Sequence, residues 1–126
     1  MQYILKGTVV PKKNSKNVVR RGNRIFVLSS KRFMEWHKKA VAEITEQGVE
    51  ETIDTPCHID IVLYHSDKRR RDSDNAVASI FDLLVDTKII ADDSTKYIRS
   101  FSVKNKTAKE SFAVIDIYKM EWLNDK

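Results

Sequence analysis

The 126-residue chain contains few of the residues that mark special classes of protein. It has one cysteine, which excludes an internal disulfide and a cysteine-rich zinc site and makes a reducing compartment the expectation. Three glycines and two prolines exclude collagen-like and low-complexity chains. No apolar run approaches the roughly 20 residues of a membrane helix, and the first residues lack the pattern of a secretion signal. We therefore expect a cytoplasmic protein with no membrane contact.

The residues that are present are typical of one globular domain. Hydrophobic residues make up 41% of the chain and charged residues 33%. The length fits a single domain, which usually has roughly 100 to 200 residues. The sequence has no internal repeat, linker or biased tract. Residues 1–126 are therefore predicted to form one domain.

Positive charge is concentrated in the first third of the chain. Residues 1–39 hold eleven Lys or Arg and one acid, whereas residues 40–126 hold twelve Lys or Arg and seventeen acids. Such a basic segment suits a polyanion, because neutralising phosphates releases condensed counterions. A solvated lysine-rich surface explains the same composition, but we favour nucleic acid. The cations that we predict to contact nucleic acid are Lys12, Lys13, Lys16, Arg20, Arg21, Lys68, Arg69, Arg70 and Arg71.

Hydrophobic periodicity predicts an α+β fold. A mixed β-sheet covered by two helices follows from the order of strand, hairpin, helix, strand, helix and two strands. The strands are predicted at Gln2 to Val10, His58 to Tyr64, Tyr97 to Val103 and Phe112 to Tyr118, the hairpin around Gly22, and the helices from Ser29 or Ser30 to about Gln47 and from Asp74 to Val85.

The most informative segment is 68–75, where four cations precede two carboxylates, Asp72 and Asp74, at a strand-to-helix junction. Both can share a ligand only if Asp72 is still extended, because residues two apart on a helix point in different directions. A third carboxylate comes from Asp92 or Asp93, in a later polar break. Carboxylates without His or Cys form a hard oxygen site that favours Mg²⁺ or Mn²⁺. Helix capping and turn formation are the alternative explanation for the same aspartates.

A specific series of motifs runs along the chain. Pro11 to Lys16 and Ser30-Lys31-Arg32 are followed by Arg71-Asp72-Ser73-Asp74-Asn75, Phe81-Asp82-Leu83-Leu84 and Ile90-Ala91-Asp92-Asp93. In this order and spacing, the chain resembles the RusA-type Holliday junction resolvases, which are small endodeoxyribonucleases of bacteria, prophages and phages.

The resemblance implies a homodimer that binds four-way DNA junctions and nicks two strands symmetrically, in DNA recombination and repair. It implies that Asp72, Asp74 and Asp93 are the metal ligands and catalytic residues, with Mg²⁺ or Mn²⁺ in each subunit. The family's pattern also has a catalytic lysine four residues after the second Asp of the motif, where this chain has Ala78. One alternative is that the chain cleaves DNA slowly or only binds it. The other is that a different lysine takes the catalytic role, and the candidates are Lys12, Lys13, Lys16 and Lys88.

Three other functions stay open at this point. A DNA-binding module without turnover would follow from loss of the lysine. A nuclease of the restriction-enzyme type would use Asp86-Thr87-Lys88, but that element is normally on a strand and here ends an amphipathic helix. An RNA-binding protein would have similar charge, although the sequence lacks the aromatic strand pattern of an RNA-recognition sheet. The three histidines, His37, His58 and His65, have no metal-ligand spacing, and no role is assigned to them.

Overall fold

A four-stranded mixed sheet carries the hydrophobic core. The computed structural model describes residues 1–12, 16–22, 24–69 and 71–120, with the backbone alone for 16–21 and 24–29. Its elements in chain order are β1 (Gln2–Lys6), β2 (Lys16–Arg21), β3 (Arg24–Ser29), α1 (Lys31–Gln47), β4 (Cys57–His65), α2 (Ser73–Asp86), β5 (Ile98–Thr107) and β6 (Phe112–Lys119).

The sheet has the strand order β1-β6-β4-β5, and β2 and β3 form a separate antiparallel hairpin. Strands β4 and β5 are parallel, whereas β6 is antiparallel to both β1 and β4. The predicted α+β class, the mixed sheet and the hairpin are thus confirmed.

Alternating burial along β4 explains how the helices pack. Ile59, Ile61 and Leu63 are buried, and the residues between them are only half-buried. Ile44 of α1 and Ile80 of α2 belong to the same core cluster as these β4 residues. Because successive side chains on a strand point to opposite faces, both helices cover one face of the sheet. None of the helices in the described residues is long and apolar enough to cross a membrane.

Helix α1 begins and ends at the residues that the sequence signals predict. The Ser30 hydroxyl oxygen accepts a hydrogen bond from the Phe33 amide at 3.1 Å, as an N-cap does. Gly48 adopts a φ of 99° and donates its amide to the Ile44 and Thr45 carbonyl oxygens. Glycine tolerates that left-handed backbone at no steric cost, so the helix ends there.

Two strand boundaries differ from the prediction. Strand β1 ends at Lys6 instead of Val10, because Gly7 has a φ of 84° and turns the chain out of the sheet. Strand β5 continues to Thr107, beyond the predicted end at Val103, and pairs with β4 along its whole length. Its last four residues are exposed polar side chains, so hydrophobic periodicity gives no signal for them.

The β4-α2-β5 crossover positions the acidic motif. The parallel strands require the chain to return to the start of the sheet before β5 begins, and α2 makes that return. Helix α2 therefore starts near the carboxyl end of β4 and ends near its amino end.

Candidate active site

Asp72 and Asp74 lie where β4 leads into α2. Asp72 has φ −96° and ψ 113°, which is extended backbone, and Asp74 belongs to the first turn of the helix. The condition for a shared ligand, an extended Asp72 before the first helical turn, is met. Both residues are exposed. The junction therefore presents two carboxylates to solvent from two different backbone conformations.

Asp72 occupies the N-cap position of α2 without acting as a side-chain cap. Its carboxylate makes no capping hydrogen bond, whereas its carbonyl oxygen accepts from the Asn75 amide at 3.2 Å. Capping by the side chain is the ordinary reason for an aspartate at this position. Since the carboxylate is not used in this way, its oxygens are available to a ligand.

A cleft of about 370 Å³ opens beside Asp72. One wall is the start of α2 and another is the segment after β1, and arginines contribute the polar part of the lining. The lining residues are Thr8, Val9, Pro11, Arg32, Arg69, Arg71, Asp72, Asn75 and Ala76. The cleft thus combines Asp72 with three arginines, of which Arg71 is already paired with Asp67. Such a set suits a phosphate held beside a metal cation.

Arg32 and Asn75 are cleft residues that we did not predict from the sequence as site residues. Arg32 comes from the first turn of α1, about 40 residues before the acidic motif, so no local pattern joins the two. Asn75 is a buried polar residue with 7% exposure at the cleft. The only sign of its role in the sequence is its position directly after Asp74 in the acidic motif.

The basic segment before Asp72 is folded back by an ion pair. Arg71 donates from Nη1 to Asp67 Oδ1 at 2.7 Å and from Nη2 to Asp67 Oδ2 at 2.9 Å. Asp67 Oδ1 also accepts from the Arg69 amide at 2.9 Å. The bonds from Arg71 and then from the Arg69 amide hold the pKa of Asp67 well below its usual range. The pair fixes the loop that carries Arg69 and Arg71 into the cleft.

Asp93 lies at the other end of the sheet. The Ile89 and Ile90 amides bond to the Leu84 carbonyl oxygen near the end of α2, and the Tyr97 carbonyl oxygen accepts from the amide of Cys57, the first residue of β4. The segment with Asp93 lies between these two anchors. Helix α2 has 14 residues and is therefore about 21 Å long. Within one chain, the fold does not bring Asp93 to Asp72 and Asp74.

The predicted DNA-contacting cations are distributed unevenly. Lys68 and Arg69 are exposed beside the cleft. The Lys12 ammonium lies 3.4 Å from Asp82 Oδ2, two turns of α2 beyond Asp74. Lys13 and Arg70 lie outside the described residues, and the side chains of Lys16, Arg20 and Arg21 are likewise outside the described part of the structure. Their contact with DNA stays a prediction.

Ala78 is exposed on α2, one turn after Asp74. Among the candidates for a replacement cation, Lys12 lies beside this part of α2: its amide donates to the Ser79 hydroxyl oxygen at 3.0 Å, and its ammonium lies 3.4 Å from Asp82 Oδ2, one turn after Ala78. Lys88 follows the far end of α2 with a φ of 60°. Lys13 and the side chain of Lys16 lie outside the described residues. Asp86 is the last residue of α2, so Asp86-Thr87-Lys88 ends a helix. In a nuclease of the restriction-enzyme type this element would normally lie on a strand.

The donor set fits the hard divalent cation predicted from the sequence. Asp72 offers an exposed carboxylate that is not used in capping, and Asp74 offers a second one two residues later. Carboxylate oxygens are the ligands that Mg²⁺ and Mn²⁺ prefer. Two such ligands from one chain leave positions for water, a phosphate and a further carboxylate.

The fold and the cleft together define a small α+β domain with an acidic strand-to-helix junction lined by arginines. Residues 6–118 match the family model of Endodeoxyribonuclease RusA, and the chain belongs to this family. Over 85 residues the chain is 31% identical to the crossover junction endodeoxyribonuclease RusA of Aquifex aeolicus (strain VF5). The match covers 68% of this chain and 65% of that relative, somewhat less than two thirds of the relative's length. The resemblance seen in the sequence is thus confirmed.

Proposed function

We propose that this protein is a metal-dependent endodeoxyribonuclease that resolves four-way DNA junctions in recombination and repair. The observation that carries the proposal is the free carboxylate of Asp72, held in an extended N-cap position beside Asp74 and an arginine-lined cleft. Membership of the family supports the same activity.

In this mechanism, Asp72, Asp74 and Asp93 would hold Mg²⁺ or Mn²⁺. Such a cation, when bound, would supply a more acidic water and offset negative charge on the scissile phosphate. The chain's own cations orient the DNA backbone, with Arg32 of α1 and Arg69 of the loop after β4 at the cleft. No covalent nucleophile is required for this reaction.

We further propose that the active site forms between two chains of a homodimer. Asp93 is separated from Asp72 and Asp74 by the length of α2, so it can join them only from a second copy. Two copies related by a two-fold axis bring the end of one α2 to the start of the other and generate two equivalent sites.

An exposed apolar surface suits this pairing. Phe101 of β5 is 51% exposed, and its ring meets the Phe81 ring of α2 edge-on at 5.2 Å. Exposed aromatic residues at a sheet edge are typical of protein interfaces.

The proposal is tested by incubating the protein with a synthetic four-way junction, with and without Mg²⁺ or Mn²⁺. We expect symmetric nicks that require the metal. Asp74→Asn removes a metal-holding charge but keeps the shape, so it should abolish nicking and leave junction binding largely intact. Glu46→Gln, at an exposed acid near the end of α1 and away from both the cleft and Asp93, is the control and should cut like the parent. Equal cleavage by parent and Asp74→Asn would contradict the assignment.

A junction-binding protein without turnover is the second candidate, and Ala78 is the observation that favours it. Such a protein would bind four-way DNA with the same basic surface. It would give no nick with either metal, even at high protein concentration and long incubation.

A further inference from the structure

One histidine and two aspartates outside the candidate active site converge on a small region between the helices. His37 of α1 lies with its Nε2 atom 2.9 Å from Asp86 Oδ2 of α2. Together with Asp82, these residues bring three ligand atoms within 4.8 Å of one another. His37 and Asp82 are 45 positions apart in the sequence, so no local spacing signals the group.

The geometry of α2 brings the two carboxylates together. Asp82 and Asp86 are four residues apart and therefore share one face of the helix. Carboxylates this close repel each other unless a cation lies near them. The same face carries Ser79, whose hydroxyl donates to the Val10 carbonyl oxygen at 2.8 Å and fixes the segment that carries Lys12. The position of this face next to α1 is therefore set by the core of the molecule.

The chain itself directs a cation to this group. The Lys12 ammonium lies 3.4 Å from Asp82 Oδ2 and 5.7 Å from the centre of the Phe33 ring. The Lys12 ammonium pairs with Asp82, whereas Asp86 pairs with His37. A cation at the centre of the group would serve both carboxylates.

The Nε2 atom of His37 faces the two carboxylates and is the nitrogen that a metal ion between them would contact. The other ring nitrogen, Nδ1, is buried and has no hydrogen-bond partner among the described residues. An imidazole nitrogen with two carboxylate oxygens favours a transition-metal cation such as Zn²⁺ over Mg²⁺. Zinc ligands at about 2.0 to 2.2 Å lie roughly 3.3 Å from each other, so small side-chain rotations complete the site.

We propose that His37, Asp82 and Asp86 form a binding site for a divalent transition-metal cation, with Zn²⁺ as the expected ion. The cation displaces the Lys12 ammonium from Asp82 and links α1 to α2. Three protein ligands leave a fourth position for water. Asp82 and Asp86 lie about two and three turns beyond Asp74, so this site uses none of the residues proposed for DNA cleavage.

The test is calorimetric titration of the full chain carrying Asp72→Asn and Asp74→Asn with ZnCl₂. These changes remove the carboxylates of the candidate active site, so the result does not depend on nuclease function. We expect one zinc ion per chain. Adding His37→Gln should weaken binding more than tenfold, since even partners that only orient a metal ligand change affinity by about 10- to 100-fold.

His58→Gln is the matched control, because the His58 Nε2 atom also contacts a carboxylate, Asp60 Oδ1 at 2.6 Å, but without a second aspartate. It should leave zinc affinity unchanged. Asp86→Asn gives a second loss-of-ligand variant at a side chain that is 51% exposed and is not needed for packing. It too should weaken binding more than tenfold.

Lys12→Met separates a metal site from an ordinary ion-pair cluster. Removing the competing ammonium should strengthen zinc binding severalfold, whereas Lys31→Met, at a lysine paired with Glu35, should not. Co²⁺ should also give the absorption bands of a nitrogen- and oxygen-ligated ion, and His37→Gln should remove them. The proposal is overturned if the starting protein binds no zinc, or if zinc affinity is the same with and without His37.

Discussion

Asp72 and Asp74 lie two residues apart, yet one is extended and the other helical. That change of backbone conformation lets both side chains face solvent at the same junction. If Asp72 continued the helix, the two carboxylates would point about 200° apart around its axis. The local backbone, more than the identity of the residues, therefore decides whether they can act together.

The ion pair between Asp67 and Arg71 gives a prediction about acid stability. Arg71, followed by the Arg69 amide, lowers the pKa of Asp67 below its usual value of about 3.9. A lowered pKa in the folded state stabilises the protein above the unfolded value, and this contribution is lost as the pH falls through the folded value. Asp67→Asn should therefore lower the urea midpoint slightly at about pH 5 to 8, and the difference from the parent should vanish in stronger acid.

Urea unfolding of parent and Asp67→Asn from about pH 8 down into stronger acid measures the effect, with Asp54→Asn as the control. The expected effect is small, because the pair is at the surface. A difference that grows as the pH falls would have the wrong sign for this ion pair.

Ala78 gives a prediction about the chemical step. An ammonium one turn after Asp74 can reach a phosphate or leaving oxygen near the metal. Ala78→Lys should raise the single-turnover nicking rate by about 10² to 10³, the effect of one well-placed group at a developing charge. Single Ala substitutions at Lys12, Lys13, Lys16 and Lys88 provide the comparison. If Ala78→Lys does not raise the nicking rate and one of the four Ala substitutions lowers it severely, the catalytic lysine lies at that other position.

At the residue scale, the acidic motif can be read from the sequence, but the rest of the cleft cannot. Asp72 and Asp74 stand together in a recognisable pattern. Arg32 and His37 acquire their neighbours only when α1 packs beside the segment after β1 and beside α2. Long-range packing leaves no spacing in the sequence by which to find them.

At the scale of the elements, α2 is docked by a buried polar residue. Ser79 is fully buried, its hydroxyl donates to the Val10 carbonyl oxygen at 2.8 Å, and its oxygen accepts from the Lys12 amide at 3.0 Å. These bonds attach the segment after β1 to the helix that carries Asp74. They also shape one wall of the cleft.

Ser79→Ala should therefore destabilise the protein. It leaves a backbone donor and a backbone acceptor without their partner, at a cost of about 1 to 3 kcal/mol. Ala78→Ser, at the neighbouring exposed position, should change stability by no more than about 0.5 kcal/mol. Urea denaturation of the three proteins provides the measurement, and equal stability of parent and Ser79→Ala would refute the docking role.

The elements themselves follow closely from the sequence. The spacing of apolar residues predicts both helices and β4, and Ser30 and Gly48 predict where α1 begins and ends. The prediction is wrong where a backbone property overrides the side chains. Val9 and Val10 are as buried as strand residues, but Gly7 has already turned the chain out of the sheet. Burial alone does not distinguish a strand from a packed loop.

At the scale of the whole molecule, the crossover that builds the sheet separates the acidic motifs. The same helix that carries Asp74 moves the chain away before Asp93 is reached. Sequence order can indicate that Asp93 belongs to the site, but it cannot indicate which chain supplies it. The proposed dimer rests on the fold instead, because α2 holds its two ends about 21 Å apart within one chain.

The central claim is that Asp93 of one chain completes the site built on Asp72 and Asp74 of another. It is tested most directly by mixing two variants, Asp74→Asn and Asp93→Asn, after exchange of subunits and measuring Mg²⁺-dependent nicking of a four-way junction. Each variant alone should be inactive, because each homodimer has two defective sites. A mixed dimer has one site with both changes and one intact site, so the mixture should nick one strand. If the mixture stays inactive although mixed dimers form and bind the junction, the site lies within one chain and the claim is wrong.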